Sequence, residues 1–258
     1  MSDHQNPLFN QSLEKGLAVL RGFGAARRTM NLADIAQVAN ISKSSAQRMV
    51  HTLEELGYLS KNPQSRRFQL TPRVMEIGYN YLAADTLVDV ANPYLAELNR
   101  LTGETVNLTE PDGLCMVYVA RFPSNRFIPI HMPIGSRIPM YCSGSGRAYL
   151  SALSDTEVHT ILQISNLETH TLYTLTDPSV IFERVQLARH KGYATNNEEV
   201  YLGDMTLGSP IINSKGQPVA AVHVVAPSNR WTLAEAEQSL GSAIIQCARA
   251  ISTSIRTL

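Results

Sequence analysis

The chain has 258 residues, of which 44% are hydrophobic and 17% charged, and its 22 Lys and Arg are balanced by 22 Asp and Glu. That composition suits a folded, water-soluble protein of one large or two smaller domains, and no apolar run reaches the ~18 residues of a membrane span. A polar start (residues 1–10) without an export-signal pattern, and three scattered cysteines (Cys115, Cys142, Cys247), exclude a disulfide framework and predict a reduced, cytoplasmic protein without a membrane partner.

The first elements in chain order are helical. Leu13, Leu17 and Leu20 recur at three- or four-residue spacing and predict one apolar face of a helix over 11–23. Asn31 is placed to cap a second helix, whose Leu32, Ile35, Ala36 and Ala39 share a face. Ser42 caps a third, running to about Leu56, with Met49, Val50, Leu53 and Leu56 as the buried stripe and Gly57 ending it. Two strand-like pieces, 58–61 and 67–70, flank the turn-forming Asn62-Pro-Gln-Ser-Arg66. Three helices and a hairpin make a winged helix.

Thr71-Pro72 opens a linker helix over 72–84, and Asp85 begins another reaching about Leu101. The pattern then alternates. Strands over 104–110 and 114–121 are joined by Pro111-Asp-Gly113, and 127–132 is a third strand. Helices are expected over 144–153, 156–164 and 179–191, the last stopped by Gly192. Strands 205–212 and 218–225 flank the turn Asn213-Ser-Lys-Gly216, and Thr232 caps a final helix to about residue 256. The fold class is therefore α+β, with residues 1–71 as the winged helix-turn-helix, 72–84 as linker and 85–258 as a body with an antiparallel sheet flanked by helices.

The front suits nucleic acid. Residues 1–84 hold ten Lys and Arg against six Asp and Glu, whereas the rest holds twelve against sixteen. The third helix opens with Ser42-Lys-Ser-Ser-Ala-Gln-Arg48, so Ser42, Lys43, Ser44, Ser45, Gln47, Arg48 and His51 are the candidates for a major groove. Arg can pair with guanine, Gln with adenine, and Ser or Lys with phosphate. Lys61, Arg66 and Arg67 make the wing basic, as backbone contact requires. The competing reading is a winged helix used for protein contact or assembly without a small-molecule effector.

At the other end of the chain, Ser143-Gly-Ser-Gly146 before a helix is a backbone-amide anion site or simply a helix cap. Catalysis has little footing. Ser143 and Arg147 stand where a nucleophile elbow around Ser145 needs glycines. Cys142 and His131 lack an orienting third group, and Glu198-Glu199 point to opposite sides of an extended segment.

Several segments resemble the IclR-type bacterial transcriptional regulators. In the front these are Ser12-Leu-Glu-Lys-Gly-Leu-Ala-Val-Leu20, Leu32-Ala-Asp-Ile-Ala-Gln37, Ser42-Lys-Ser-Ser-Ala-Gln-Arg48 and Leu53-Glu-Glu-Leu-Gly-Tyr58. In the body they are Gly103-Glu-Thr-Val-Asn-Leu108, Ile138-Pro-Met-Tyr-Cys-Ser-Gly-Ser-Gly-Arg-Ala148, Gly192-Tyr193, Asn197-Glu-Glu199 and Pro227-Ser-Asn-Arg230. They cover nearly the whole chain in the family's order.

The resemblance implies a GAF-like, effector-binding body and a DNA-binding homodimer, with tetramers formed from dimers. It also implies a double-stranded, pseudo-palindromic DNA operator and a small metabolite bound in the body. Gly144, Ser145, Asn196, Thr206, His223 and Val225 match the family's effector positions. Many members carry an aspartate at Asn196, a cysteine at Thr206 and serines at His223 and Val225, so this chain departs at four. Loss of the acid and the thiol removes candidate metal ligands, and no metal or cofactor is expected. His223 and the apolar Val225, with Phe127, Ile130, Met140 and Tyr141 nearby, direct the expectation to an organic acid larger than two or three carbons, aromatic by preference. The implied function is ligand-controlled regulation of a catabolic operon.

Overall fold

The computed structural model describes residues 7–126, 130 and 132–255, and the chain divides into two compact units, one ending at Ala84 and one starting at Asp85. Among the described residues no helix is long and apolar enough to cross a membrane.

In the first unit, local capping chemistry sets the helix boundaries. Helix α1 (Gln11–Arg21) starts where the Asn10 side chain accepts from the Ser12 and Leu13 amides. Helix α2 (Leu32–Val38) begins with a capping box in which Asn31 and Asp34 each hold the other's backbone amide. Helix α3 (Lys43–Glu55) is capped by Ser42, whose Oγ accepts from Ser45 N at 3.2 Å. It ends in a Schellman motif: Tyr58 N–H donates to Leu53 O at 2.8 Å and Gly57 N–H to Glu54 O at 2.9 Å, with Gly57 at φ 78°. Strands β1 (Leu59–Lys61) and β2 (Phe68–Leu70) pair antiparallel, and Asn62 Oδ1 accepts the Gln64 and Ser65 amides to close the wing.

Val19, Phe23, Met30, Ile35, Ala46, Val50, Leu53, Leu59 and Phe68 form the core of this unit. The expected stripe on α1 is corrected. Val19 is the buried side chain of α1 and Leu20 packs against the core as expected, while Leu13 and Leu17 are 63% and 38% exposed. Leu56 likewise faces solvent rather than ending the buried stripe of α3. After β2, Thr71 caps a single 3-10 turn (Pro72–Val74), and α4 (Met75–Ala84) follows with no buried side chain.

The second unit starts with α5 (Thr86–Thr102), capped by Asp85 and ended by Gly103 at φ 67°. Among the described residues six strands form one antiparallel sheet. They are β3 (Val106–Asp112), β4 (Cys115–Phe122), β5 (Arg137–Pro139), β6 (Ala194–Asn197), β7 (Met205–Ile212) and β8 (Pro218–Val225), in the order β5-β4-β3-β8-β7-β6. Helices α6 (Gly144–Ser151), α7 (Asp155–Ile164), α8 (Pro178–Lys191) and α9 (Leu233–Ile255) complete it. Helices α5 and α9 pack on one face of the sheet and α6 on the other, with α7 and α8 outside α6.

Two expectations shift. The first hairpin turns at Gly113-Leu114 and not at 111–113, because Pro111 and Asp112 still pair with Met116 and Cys115. Proline is tolerated there because the register with β8 stops at Thr109, which leaves Pro111 on an unpaired edge. The strand expected over 127–132 falls largely on residues 127–129 and 131, outside the described residues, and the edge strand is β5.

Candidate DNA interface and effector site

The capped start and buried stripe of α3 leave Lys43, Ser44, Gln47, Arg48 and His51 exposed along one side. Lys43, Gln47 and His51 meet Lys61 and Arg66 of the wing around a concave surface of about 530 Å³, bounded also by the start of α2. This arrangement can hold a polyanion against the helix and the wing together. Glu54, not anticipated, lines the same surface and brings a negative charge to it.

Two candidates are corrected. Ser45 turns inward beside Ala46 and is buried, so its hydroxyl does not face the groove. Arg67 is tied within the unit: its guanidinium donates to Thr29 Oγ1 at 3.0 Å, Thr29 O at 2.8 Å and Asp34 Oδ2 at 3.0 Å. It fastens the wing to the start of α2. Arg67→Ala should therefore cost about 1–2 kcal/mol of unfolding free energy, measured by urea denaturation, while the salt dependence of DNA binding stays as in the wild type.

In the second unit, strand register decides which side chains share the face under α6. Asn196 pairs with Thr206, Thr206 with Val225, and His223 with both Asn107 and Gly208. In an antiparallel sheet paired residues point the same way. Glycines seat α6 directly on this face. A Cβ on Gly144 would come within 2.5 Å of Thr206 Oγ1, one on Gly208 within 2.5 Å of Gly144 O, and one on Gly146 would strike the Met140 backbone. Ser143 caps α6 by accepting from Gly146 N at 3.1 Å, and Ser145 is buried at the helix start.

The effector candidates therefore divide. Gly144, Ser145, Thr206, His223 and Val225 gather between the start of α6 and the sheet. Met140 is buried in the apolar cluster with Tyr118, Ile138 and Tyr141, and Ile130 is half-buried. Phe127 lies outside the described residues. Asn196 is corrected from a ligand contact to a brace: its Oδ1 accepts from Glu199 N at 3.0 Å and its Nδ2 donates to Asp204 O at 3.4 Å.

His223 is buried, and Asn107 Nδ2 donates to its Nε2 at 3.0 Å. Arg121 fixes that orientation, because its Nη1 donates to Asn107 Oδ1 at 3.3 Å. Burial, with a smaller effect of the Arg121 charge, holds the imidazole pKa down at about 3. The ring is neutral with its proton on Nδ1, and that buried nitrogen has no hydrogen-bond partner among the described residues. Tyr118 packs edge-on against the ring at 5.3 Å. Asp204, close to the same charges, is pushed up to about 6 by burial. Sequence reading missed Arg121, Asn107 and Asp204, whose roles depend on pairing across strands that no local pattern reports.

Elsewhere the buried thiols of Cys142 and Cys247 are pushed up to about 12 by burial, which leaves them poor nucleophiles.

The geometry agrees with comparison to known proteins. Residues 79–253 match the family model described as bacterial transcriptional regulator IclR C-terminal, and residues 12–63 match the IclR helix-turn-helix domain. The Pca regulon regulatory protein of Pseudomonas putida is 32% identical over 234 residues, covering 90% of this chain and 80% of that protein. A crystal structure from Rhodococcus sp. RHA1, described as a transcriptional regulator, superposes with a TM-score of 0.83 at 32% identity, over 96% of this chain and 99% of that one. An IclR homolog from Microbacterium hydrocarbonoxydans, complexed with 4-hydroxybenzoate, shares the fold with a TM-score of 0.78 at 21% identity, over 96% of this chain and 100% of that one. A helix-turn-helix head and a sheet-centred body, matched in order over almost the full length, make this chain a DNA-binding transcriptional regulator of the IclR family.

Proposed function

We propose that the chain regulates a catabolic operon and senses a small organic acid, aromatic by preference, on the sheet face beside the start of α6. The observation that carries this reading is the buried Nδ1–H of His223, a donor aligned by Asn107 and lacking an acceptor among the described residues. An unmet buried donor costs about 1–3 kcal/mol, and a ligand oxygen relieves that cost. The Pseudomonas relative's name and the bound 4-hydroxybenzoate of the Microbacterium homolog support beginning with aromatic acids.

The head, residues 1–71, reads a pseudo-palindromic operator as part of a homodimer, with 72–84 as linker. Leu13 and Leu17 on α1 and Met75, Ile77 and Tyr79 on α4 present exposed apolar surface that supports self-association. Two heads on a twofold axis engage half-sites about one helical turn apart, and such dimers can pair into tetramers. The effector shifts the population of head arrangements and so operator affinity.

The test is operator binding across salt concentrations, with and without the acid. Arg48→Ala should cost about 1–3 kcal/mol and relax sequence preference, whereas Arg66→Ala should weaken all sequences alike and lower the salt slope by about 1. Binding without salt dependence, or operator affinity indifferent to every acid tried, contradicts the proposal.

A further inference from the structure

Register places Arg121, Asn107, His223 and Gly208 in one row across β4, β3, β8 and β7, on the face that carries α6. Arg121 is half-buried, and its hydrogen-bond acceptors among the described residues, Asn107 Oδ1 and Met132 O, are both neutral and both 3.3 Å away. Burial disfavours its charge. Asp204 influences it electrostatically but forms no ion pair with it among the described residues. Among the described residues, a half-buried guanidinium without a close carboxylate, two strands from a buried imidazole donor without an acceptor, leaves two unmet demands for oxygen on one face of the sheet.

We infer that Arg121 and His223 read two oxygens of one ligand, a carboxylate at Arg121 and a second acceptor oxygen at His223 Nδ1. This rests on the effector site proposed above and names its ligand class: a small organic acid with a second oxygen substituent (hydroxyl, keto or carboxyl) several bonds from the first carboxylate. Two strand spacings separate the backbones of Arg121 and His223 by about 10 Å. Asn107 links the two groups, accepting from Arg121 Nη1 at 3.3 Å and donating to His223 Nε2 at 3.0 Å, so a ligand that reads both spans this amide. Asn107 is the positioning residue, since its amide orients both groups. Tyr118 walls the His223 ring, and Asp204 on the same side can accept from a ligand hydroxyl. A simple two-carbon acid satisfies one donor and leaves the other unmet.

The experiment is calorimetric titration of the full-length protein with 4-hydroxybenzoate, benzoate, adipate and glyoxylate. The expected result is binding of 4-hydroxybenzoate or adipate, with benzoate and glyoxylate at least about tenfold weaker. Arg121→Leu should weaken the preferred acid by about 10- to 100-fold. His223→Phe, or His223→Gln should the first fail to fold, should bring 4-hydroxybenzoate and benzoate to similar affinities. Retained operator affinity verifies that each variant is folded, and Arg121→Leu decides alone if neither His223 variant is. Acids that bind wild type and Arg121→Leu equally overturn this inference and leave the organic-acid reading standing. Failure of all four acids to bind the wild type overturns both, while the salt dependence of operator binding judges the DNA-binding reading separately.

Discussion

Replacing Arg147 by methionine is expected to destabilise the 85–258 unit by about 3–5 kcal/mol, the cost of leaving one partner of a buried ion pair alone. Arg147 and Glu199 are 2% and 6% exposed, and they meet side on, with Nη1 on Oε1 and Nη2 on Oε2 at 2.6 Å. Arg147 also donates from Nε to Tyr141 O at 2.8 Å, and Glu199 accepts the Leu175 amide at 3.2 Å. The pair thus joins α6, the segment leading into it, and the segment that follows β6. Glu199→Gln removes the charge and keeps the shape, so it should lose nearly as much as Arg147→Met. Changing both residues to apolar ones of similar volume should recover part of the loss, since the desolvation cost of both ions then disappears. Urea unfolding of the three variants measures this. Single variants within about 1 kcal/mol of wild type would show that water reaches the pair and that the link is not needed.

The second large effect is on the pH dependence of stability. His223 has a pKa of about 3 in the fold, against 6.5 ordinarily. Between those values the unfolded chain takes up a proton that the folded chain refuses, so stability falls as pH drops from about 6.5 towards 3, by up to about 5 kcal/mol. Protonation would also turn Nε2 into a donor facing the Asn107 donor, which explains the refusal chemically. Asp204 acts in the opposite sense. Its pKa is about 6 against 3.8 ordinarily, so the folded chain keeps a proton that the unfolded chain has released, and stability declines as pH rises from about 4 to 6, by up to about 3 kcal/mol. The two contributions oppose each other across that window.

His223→Gln should therefore flatten the acid loss, and Asp204→Asn should remove the decline between pH 4 and 6 and leave the loss due to His223 steeper. Urea midpoints of the full chain at pH 7.5, 6, 5 and 4 read out both. Wild-type and variant curves that run parallel would mean that neither group titrates differently on folding.

Much of the fold was legible because its causes are local. Asn31, Ser42 and Thr232 cap helices where their short oxygen side chains precede apolar periodicity, and Gly57 and Gly192 end helices in the left-handed region. The long strands β7 and β8 read correctly from their composition, with Gly216 at φ 78° in the turn between them. The three- and four-residue strands β5 and β6 did not, because so few residues carry no period.

The head was readable as a winged helix from the order of its elements alone. The fate of individual side chains was not. Arg67 looks like any wing cation until the fold brings Asp34 and Thr29, more than thirty residues earlier, within hydrogen-bond distance. Ser45 follows Ser44 in an exposed-looking run, yet a rotation of about 100° per residue turns it into the core. Leu13 and Leu17 lie on a helical face that the monomer leaves in solvent, because periodicity reports an apolar face and not what covers it.

The body shows the same division more sharply. Its most recognisable segments prove to be partners in space: Glu104 is held by Arg230 and by Trp231 Nε1 at 3.0 Å, and Arg147 by Glu199. The amino-acid order alone determined the class of fold, the helix caps, the family and the candidate DNA face, since each depends on neighbours within a few residues or on motif order. Tertiary structure alone decided that Asn196 braces a loop, that Arg121 stands two strands from His223, and that His223 keeps a donor unmet among the described residues. Burial and cross-strand register set the last two, which arise only when Asn107 and His223, 116 residues apart, are brought together.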